Sequence, residues 1–311
     1  LGGYEKVGIE ANIEVFGNGP VMVEAMMSDS WDCGTLGLGG VLTGIISQDM
    51  YVIGAAASDY DSLRIFAKND SDIVAAGKNL EEYPNVYGTA DTWKGKEILV
   101  PTGSTLHYVL STGLDKFGLS DTDVAMTHME VTGINTALRA DKGEVGALWG
   151  SFAYADEMNQ DYTVVMSAND LDIELPTVMC ANPRSYEDPK KYEAIKKWME
   201  LYFATVDWIY SSDENFAQAA QMFTDINEAA GATGTLEENT IVLENNRHYT
   251  LEENQAMFNE NAEGTSMLQI EQMHYDPLLF YIGSGSYNEG DQDKLLGGYF
   301  KADMINELAA E

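Results

Sequence analysis

Two cysteines, four histidines and seventeen Lys or Arg residues are few for a chain of 311, and each scarcity excludes something. So few cysteines cannot build a disulfide scaffold. The histidines His107, His128, His248 and His274 contain no i, i+4 pair, which argues against a zinc site. Seventeen basic against fifty-one acidic residues leave a formal charge of −34, a field that repels nucleic acid and anionic membrane surfaces. No stretch approaches the roughly 18 apolar residues that a membrane-spanning helix needs. No basic-then-apolar leader is present either, so export would need one outside these residues. G-x-S-x-G, P-loop and H-E-x-x-H motifs are missing. Gly37-Leu-Gly39-Gly40 starts like a dinucleotide loop, but Leu42 stands where its third glycine belongs. Asp70 with Asp72, and Asp291 with Asp293, start like calcium loops without Gly at the sixth position and read as solvated turns.

What is present describes a folded α/β chain. Hydrophobic residues make up 45% and aromatics 10%, which is enough for packed cores, and the length suits two lobes. Strand-like and helix-like segments alternate. Ala11 to Phe16 has period two, and Pro20 opens a helix through Met27. Trp31 to Leu36 is a short strand, followed by a helix from Gly39 to Ile46. Tyr51 to Ala57, Leu63 to Ala67, Ile98 to Val100, Val124 to Met129, Val145 to Trp149 and Val178 to Ala181 read as strands. Helices are expected over Thr132 to Asp141 and Phe152 to Met158. From Pro189 the texture is helical, with Ile195, Trp198, Met199, Tyr202, Phe203, Val206 and Ile209 on one face. Phe216, Ala220, Phe223 and Ile226 mark a second helix, and Leu251 to Phe258 and Asp303 to Leu308 shorter ones. Such stripes are core. The stretches Gly231 to Asn261 and Gly283 to Asp293 read as surface loops.

The most informative segment is Leu99-Val-Pro-Thr-Gly-Ser-Thr-Leu-His-Tyr108: a buried strand, a tight turn, then a helix with Leu106, Leu110, Leu114 and Phe117 on one stripe. Ser104 or Thr105 serves as N-cap, so free backbone N–H groups face outward at the positive end of the helix. Such an end holds an anion without a charged side chain, although the same turn also suits an ordinary capped helix.

Trp93 to Leu119 resembles the segment "GK-x-(apolar)3-P-x-x-ST-x-HY-x-L" of periplasmic taurine- and aliphatic-sulfonate-binding proteins, the substrate-binding subunits of ABC importers. Gly3-Tyr-Glu-Lys-Val-Gly8, Phe16-Gly-Asn-Gly-Pro-Val-Met-Val-Glu-Ala-Met26 and Trp31-Asp-Cys-Gly-Thr-Leu-Gly37 resemble that family's upstream pattern. Ala137 to Trp149, with Gly143-Glu-Val-Gly-Ala-Leu-Trp-Gly150, is similar to its third block. The matches keep their order over the first half of the chain. After Pro183 only a compatible helical pattern remains.

The resemblance implies a two-lobed α/β periplasmic binding protein of type II with a ligand cleft between the lobes. Residues 1–90 and 178–311 would form lobe one, and residues 91–177 lobe two. It implies binding positions at Asn18, Gly19, Gly37, Leu38, Gly39, Tyr60 and Asp61 in lobe one, and at Ser104, Thr105, His107, Glu130 and Trp149 in lobe two. The function implied is extracytoplasmic capture of a small anionic or zwitterionic molecule: a taurine-like sulfonate, an amino acid or an aromatic acid. The partner would be the membrane permease of an ABC transporter; the chain would be a monomer without cofactor, metal or catalytic residue, tethered by a lipid anchor outside these residues if at the cell surface. Leu1 falls in the tail of the family's first helix, so either the strand that precedes that helix lies outside these residues or the chain departs from the family at its start. Cys33 and Cys180 fall on adjacent strands, where buried free thiols are the commoner outcome and a disulfide the rarer one. Where the family often has L-x-P, this chain has His128-Met-Glu130, and an acidic side chain there suits a ligand with a cationic end. Two other readings stay open: an enzyme on the same fold, resembling pyrimidine synthases, and a sensory binding module.

Overall fold

The computed structural model describes residues 2–58, 61–158, 161–229 and 234–310, with backbone only for 155–158. The chain divides into two compact units. Leu1–Ser58, Leu175–Ala217 and His248–Glu311 form the first; Asp59–Glu174 and Gln218–Arg247 form the second. Among the described residues the strands are β1 (Cys33–Leu36), β2 (Tyr51–Ser58), β3 (Arg64–Lys68), β4 (Glu97–Val100), β5 (Ala125–His128), β6 (Val145–Leu148), β7 (Tyr162–Ser167), β8 (Pro176–Ala181) and β9 (Arg247–His248). No helix among them is long and apolar enough to cross a membrane.

The first unit is built on the sheet β1-β8-β2-β9. β8 runs antiparallel to both β1 and β2, and its residues Val178 to Ala181 are fully buried. A strand covered on both faces reads as a continuous apolar run, which is how it stands in the sequence. β2 is bulged between Val52 and Gly54 and again between Ala55 and Ala57. The buried Asn254 of the helix Leu251–Asn259 meets the backbone there: its Nδ2 donates to the Ala55 carbonyl at 3.0 Å and its Oδ1 accepts from the Ala55 amide at 2.6 Å. The helix Pro189–Tyr210 starts on Asp188, whose carboxylate accepts from the amides of Lys190 and Lys191, and it buries Ile195, Met199, Phe203 and Val206.

At the other end of this unit two helices begin against each other. In Gly19–Met26, Asn18 is the cap and its Oδ1 accepts from the Val21 amide at 3.0 Å. In Leu38–Gln48, Gly37 is the cap. A β-carbon on Gly19 would lie 2.8 Å from the Cα of Gly40, so glycine at both positions lets the two backbones touch.

The second unit is built on the sheet β5-β4-β6-β3-β7. β4 is parallel to β5 and to β6, while β3 is antiparallel to β6 and β7. The three parallel strands therefore end at one edge of the sheet. Each is followed by a helix: β4 by Thr105–Lys116, β5 by Val131–Arg139 and β6 by Gly150–Met158.

Several expectations differ from this architecture. The division falls after Ser58 rather than near residue 90, and residues 218–247 join the second unit. The reason is β3, whose hydrogen-bonding neighbours are β6 and β7, about eighty to a hundred residues further along the chain. Ala11 to Phe16 forms no strand; Ile13 and Val15 are 72% and 78% exposed, because alternation creates an apolar face but pairing needs a neighbouring edge. The stretch expected as a loop over 231–261 holds the helix Leu236–Asn245 as well as Leu251–Asn259, which matches the helix expected over Leu251 to Phe258. Both open with a reciprocal cap, Thr235 with Glu238 and Thr250 with Glu253, a T-x-x-E signature legible in the sequence. In the helix Asp213–Ala229 the buried residues are Ala219, Ala220 and Thr224, and Ile226 is 61% exposed. β7 and the helix Gln269–Gly283 were not expected at all.

Cys33 and Cys180 are free thiols. Cys33 faces Ala181 across the ladder and Cys180 faces Gly34, so the two are one residue out of register and project from opposite faces of the sheet. Burial pushes the Cys33 thiol up to about 12 and raises that of Cys180 as well, which makes both poor nucleophiles.

Candidate functional site

The carboxyl-terminal edge of the parallel strands in the second unit collects most of the polar chemistry expected from the sequence. β4 ends at Val100, and the turn that follows carries Gly103 at φ 77°, a left-handed conformation suited to glycine. Ser104 is the N-cap of Thr105–Lys116, and Ser104 and Thr105 are 5% and 6% exposed. The amides of this turn are shared out. Thr102 donates its amide to His128 Nδ1 at 3.1 Å, Gly103 donates to His107 Nδ1 at 3.1 Å, and the Ser104 amide donates to the Pro101 carbonyl at 3.2 Å. The anion-holding capacity therefore starts at Thr105, since the amides that open an α-helix have no acceptor within it.

Both histidines of this region brace the turn. His107 accepts from Gly103 at Nδ1, so its Nε2 carries the proton toward Asp121 at 3.0 Å. Asp121 also accepts from the Ser111 hydroxyl at 2.6 Å. Burial works against the Asp121 carboxylate, but the bonds from His107 and Ser111 outweigh it and hold its pKa below the usual range. With both ring nitrogens committed, His107 is a support of the turn rather than the ligand contact expected of it. His128, mostly exposed, ties the end of β5 to the turn after β4.

Glu130 is the N-cap residue of Val131–Arg139, with its carboxylate 3.9 Å from His128 Nε2. An acidic group there is favoured by the positive end of the helix. Trp149 is half-buried at the end of β6, and Gly150, at φ 56°, opens the next helix. Thus Ser104, Thr105, Glu130 and Trp149 share one sheet edge. Lys94 and Lys96 lie at the other edge; the Lys96 side chain is only 18% exposed and pairs with Glu144 at 2.5 Å.

Asp61, expected at the binding site, is engaged within its own unit. Its Oδ2 accepts from Arg64 Nη2 at 2.7 Å and from the Tyr154 hydroxyl at 2.8 Å, and its carbonyl accepts from Arg64 Nε at 2.9 Å. The Arg64 guanidinium sits 4.3 Å from the centre of the Tyr154 ring. Burial and the bond to Asp61 raise the Tyr154 pKa, so this hydroxyl stays a donor. Sequence reasoning missed Arg64 and Tyr154. The available signal was a cation inside the apolar run Leu63 to Ala67.

The positions expected in the first unit fall at the paired helix starts. Asn18 spends its Oδ1 on its own helix, Gly19 packs on Gly40, and Gly37 is a cap. Leu38 is 1% exposed, so its side chain belongs to the core and only backbone is offered there. Gly39 is buried. Tyr60 lies outside the described residues. Among the described residues no group of three or more His, Cys, Asp or Glu is placed to hold a metal.

The arrangement of sheets and helices is that of the periplasmic binding proteins. The alkanesulfonate-binding protein SsuA of Xanthomonas axonopodis pv. citri, solved with MOPS bound, superposes with a TM-score of 0.72 at 14% identity, over 96% of this chain and 91% of that one. The periplasmic aliphatic sulphonate binding protein SsuA of Escherichia coli gives 0.62 at 15% identity, over 90% and 79%. In sequence, the chain is 27% identical over 233 residues to a protein of Brachyspira hyodysenteriae provisionally named an ABC transporter periplasmic binding protein. That match takes in 75% of this chain and 65% of the relative, so the chain spans just under two thirds of the relative's length. No family model matches the chain.

Proposed function

We propose that this chain is the extracytoplasmic solute-binding subunit of an ABC importer, which captures a small anionic or zwitterionic organic molecule and hands it to a membrane permease. The observation that carries the reading is the convergence of three helix starts, at Ser104, Glu130 and Gly150, on the carboxyl edge of parallel strands. Open α/β sheets place ligands at that edge. In a chain of charge −34 an anion must be met by local dipoles, and these helix starts supply them. The names of the three proteins compared above support binding and transport, with sulfonates, amino acids and aromatic acids as the classes to test. In this reading the protein works as a monomer outside the cytoplasmic membrane.

A thermal-shift screen over sulfonates, amino acids, aromatic acids and pyrimidines tests the reading. A ligand present at a hundred times its Kd stabilises the fold by about 2.7 kcal/mol and raises the melting temperature by a few degrees. Flat melting curves across all classes, with folded protein, would overturn it. Consumption of a probe in a parallel turnover assay would favour an enzyme instead.

A further inference from the structure

We propose that His128 is a positioning residue that ties ligand affinity to pH. Its neutral imidazole holds the turn that opens the helix Thr105–Lys116, and a proton on the ring lets that turn go. The inference rests on the solute-binding reading above and deepens it by naming a regulation of the same site. The ground is a constraint on one nitrogen. The Thr102 amide donates to His128 Nδ1 at 3.1 Å, and a backbone N–H can only donate. Nδ1 must therefore carry a lone pair, which leaves the ring proton on Nε2. The next amide along the chain, that of Gly103, imposes the same tautomer on His107.

An imidazolium has an N–H on both nitrogens and accepts nothing. The Thr102 hydroxyl, 2.8 Å from the same Nδ1, can turn and accept from it, but the amide cannot. Protonation therefore sets two N–H groups against each other at 3.1 Å and pushes the Thr102 backbone off the ring. Only Gly103, in its left-handed conformation, and the cap residue Ser104 separate Thr102 from Thr105, where the free amides of the helix begin. The disturbance thus reaches the place where an anion would rest.

His128 can take up a proton without any opening of the fold, because its side chain is 55% exposed. The His107 side chain is 11% exposed and its Nε2 meets Asp121 at 3.0 Å. Around His128 the charged groups are Glu130 and Glu97. The Glu130 carboxylate, at the start of the neighbouring helix, is 3.9 Å from Nε2. Nε2–H faces it in both charge states, so only the Nδ1 side responds to the proton. Glu97 accepts from the Thr127 hydroxyl at 3.0 Å, on the opposite face of β5, since successive strand residues alternate. Direct attraction between imidazolium and anion runs the other way, but the new charge is exposed, screened by salt and turned toward Glu130. Loss of the amide contact sets the sign, and affinity falls on acidification.

Imidazole changes charge between about pH 5 and pH 8, so these limits bracket the effect. NMR of the free protein, with its histidines labelled with nitrogen-15, should find the His128 proton on Nε2 at pH 8; a proton on Nδ1 overturns the proposal. Calorimetric titration with taurine, ethanesulfonate, β-alanine, benzenesulfonate and uracil then reads affinity. These probes represent the classes of the thermal-shift screen, and none changes charge in this range. For whichever binds, wild-type affinity should be about tenfold lower at pH 5 than at pH 8, the size of one lost hydrogen bond. In His128→Asn, whose side-chain oxygen can accept from the amide but takes no proton, that ratio should be near one. Equal ratios in the two proteins, or a wild-type affinity that rises on acidification, overturn the sensor and leave the solute-binding reading standing. If none of the probes binds, that reading fails and takes the sensor with it.

Discussion

His128 and Thr102 are joined twice: the imidazole Nδ1 lies 3.1 Å from the Thr102 amide, which donates to it, and 2.8 Å from the Thr102 hydroxyl. The contact pins the turn after β4 to the end of β5, and so fixes two helix starts relative to each other. Because Thr102 is exposed, water can replace the imidazole, and His128→Ala should cost at most about 1 kcal/mol of stability. Ligand affinity should fall about tenfold, since a binding site loosened by its supports loses more than the support itself contributes. Urea unfolding beside calorimetric titration checks both; a stability loss with unaltered binding would remove His128 from the site.

Ser104→Ala and Thr105→Ala probe the helix start directly. A hydrogen bond to a charged group is worth about 1.5–3 kcal/mol, so each change should weaken an anionic ligand roughly ten- to a hundredfold. Arg139→Ala is the control, because this exposed residue donates to Asn135 one turn away and should leave affinity as it was.

Gly40→Ala tests the contact between the two helix starts of the first unit. Alanine favours a helix over glycine by up to about 1 kcal/mol. Its β-carbon, however, would sit 2.8 Å from the Gly19 Cα and 3.1 Å from its carbonyl carbon. Overpacking of this kind costs about 1–3 kcal/mol, so a lower melting temperature is expected. An unchanged or higher value would show that the helices can part without penalty.

Asn254→Ala removes the side chain that serves both backbone groups of Ala55 in the bulged strand. A buried donor and a buried acceptor would be left without partners, at a cost of roughly 2–4 kcal/mol. Chemical denaturation reads this directly, and a loss below about 1 kcal/mol would mean the bulge finds other partners.

His274 sets a pH dependence. It is fully buried, its Nδ1 donates to the Ile270 carbonyl at 2.8 Å, and Nε2 has no partner. Burial lowers its pKa from 6.5 to about 4. Between these values the unfolded chain binds a proton that the folded chain refuses. This contribution to stability is therefore intact above pH 6.5 and is lost as pH falls toward 4, up to roughly 3 kcal/mol. The loss between pH 7.5 and 4.5, measured by urea unfolding, should shrink in His274→Leu; equal losses in both proteins would reject the assignment.

Much of the site's frame was legible because its signals are local. The strand at Leu99, the turn glycine Gly103, the cap at Ser104 and the apolar stripe after it lie within a few residues of one another, and local geometry alone dictates them. The helix cap at Thr235 was equally local and was hidden only by the polar composition around it. The partners of His107 and His128 were not legible, because a ring nitrogen can meet a ligand or a backbone amide with the same chemistry.

The sequence by itself determined that this is an α/β chain and that a helix opens at Ser104 after a glycine turn. Tertiary structure alone decided that β3 joins the second sheet, that Ala11 to Phe16 pairs with nothing among the described residues, and that Arg64 meets Asp61 and Tyr154 at the edge where three helices begin. The physical reason is range. Helical periodicity and caps are fixed by neighbours three or four residues apart, whereas a strand acquires its place, and a charge its partner, only from segments that folding brings in from about a hundred residues away.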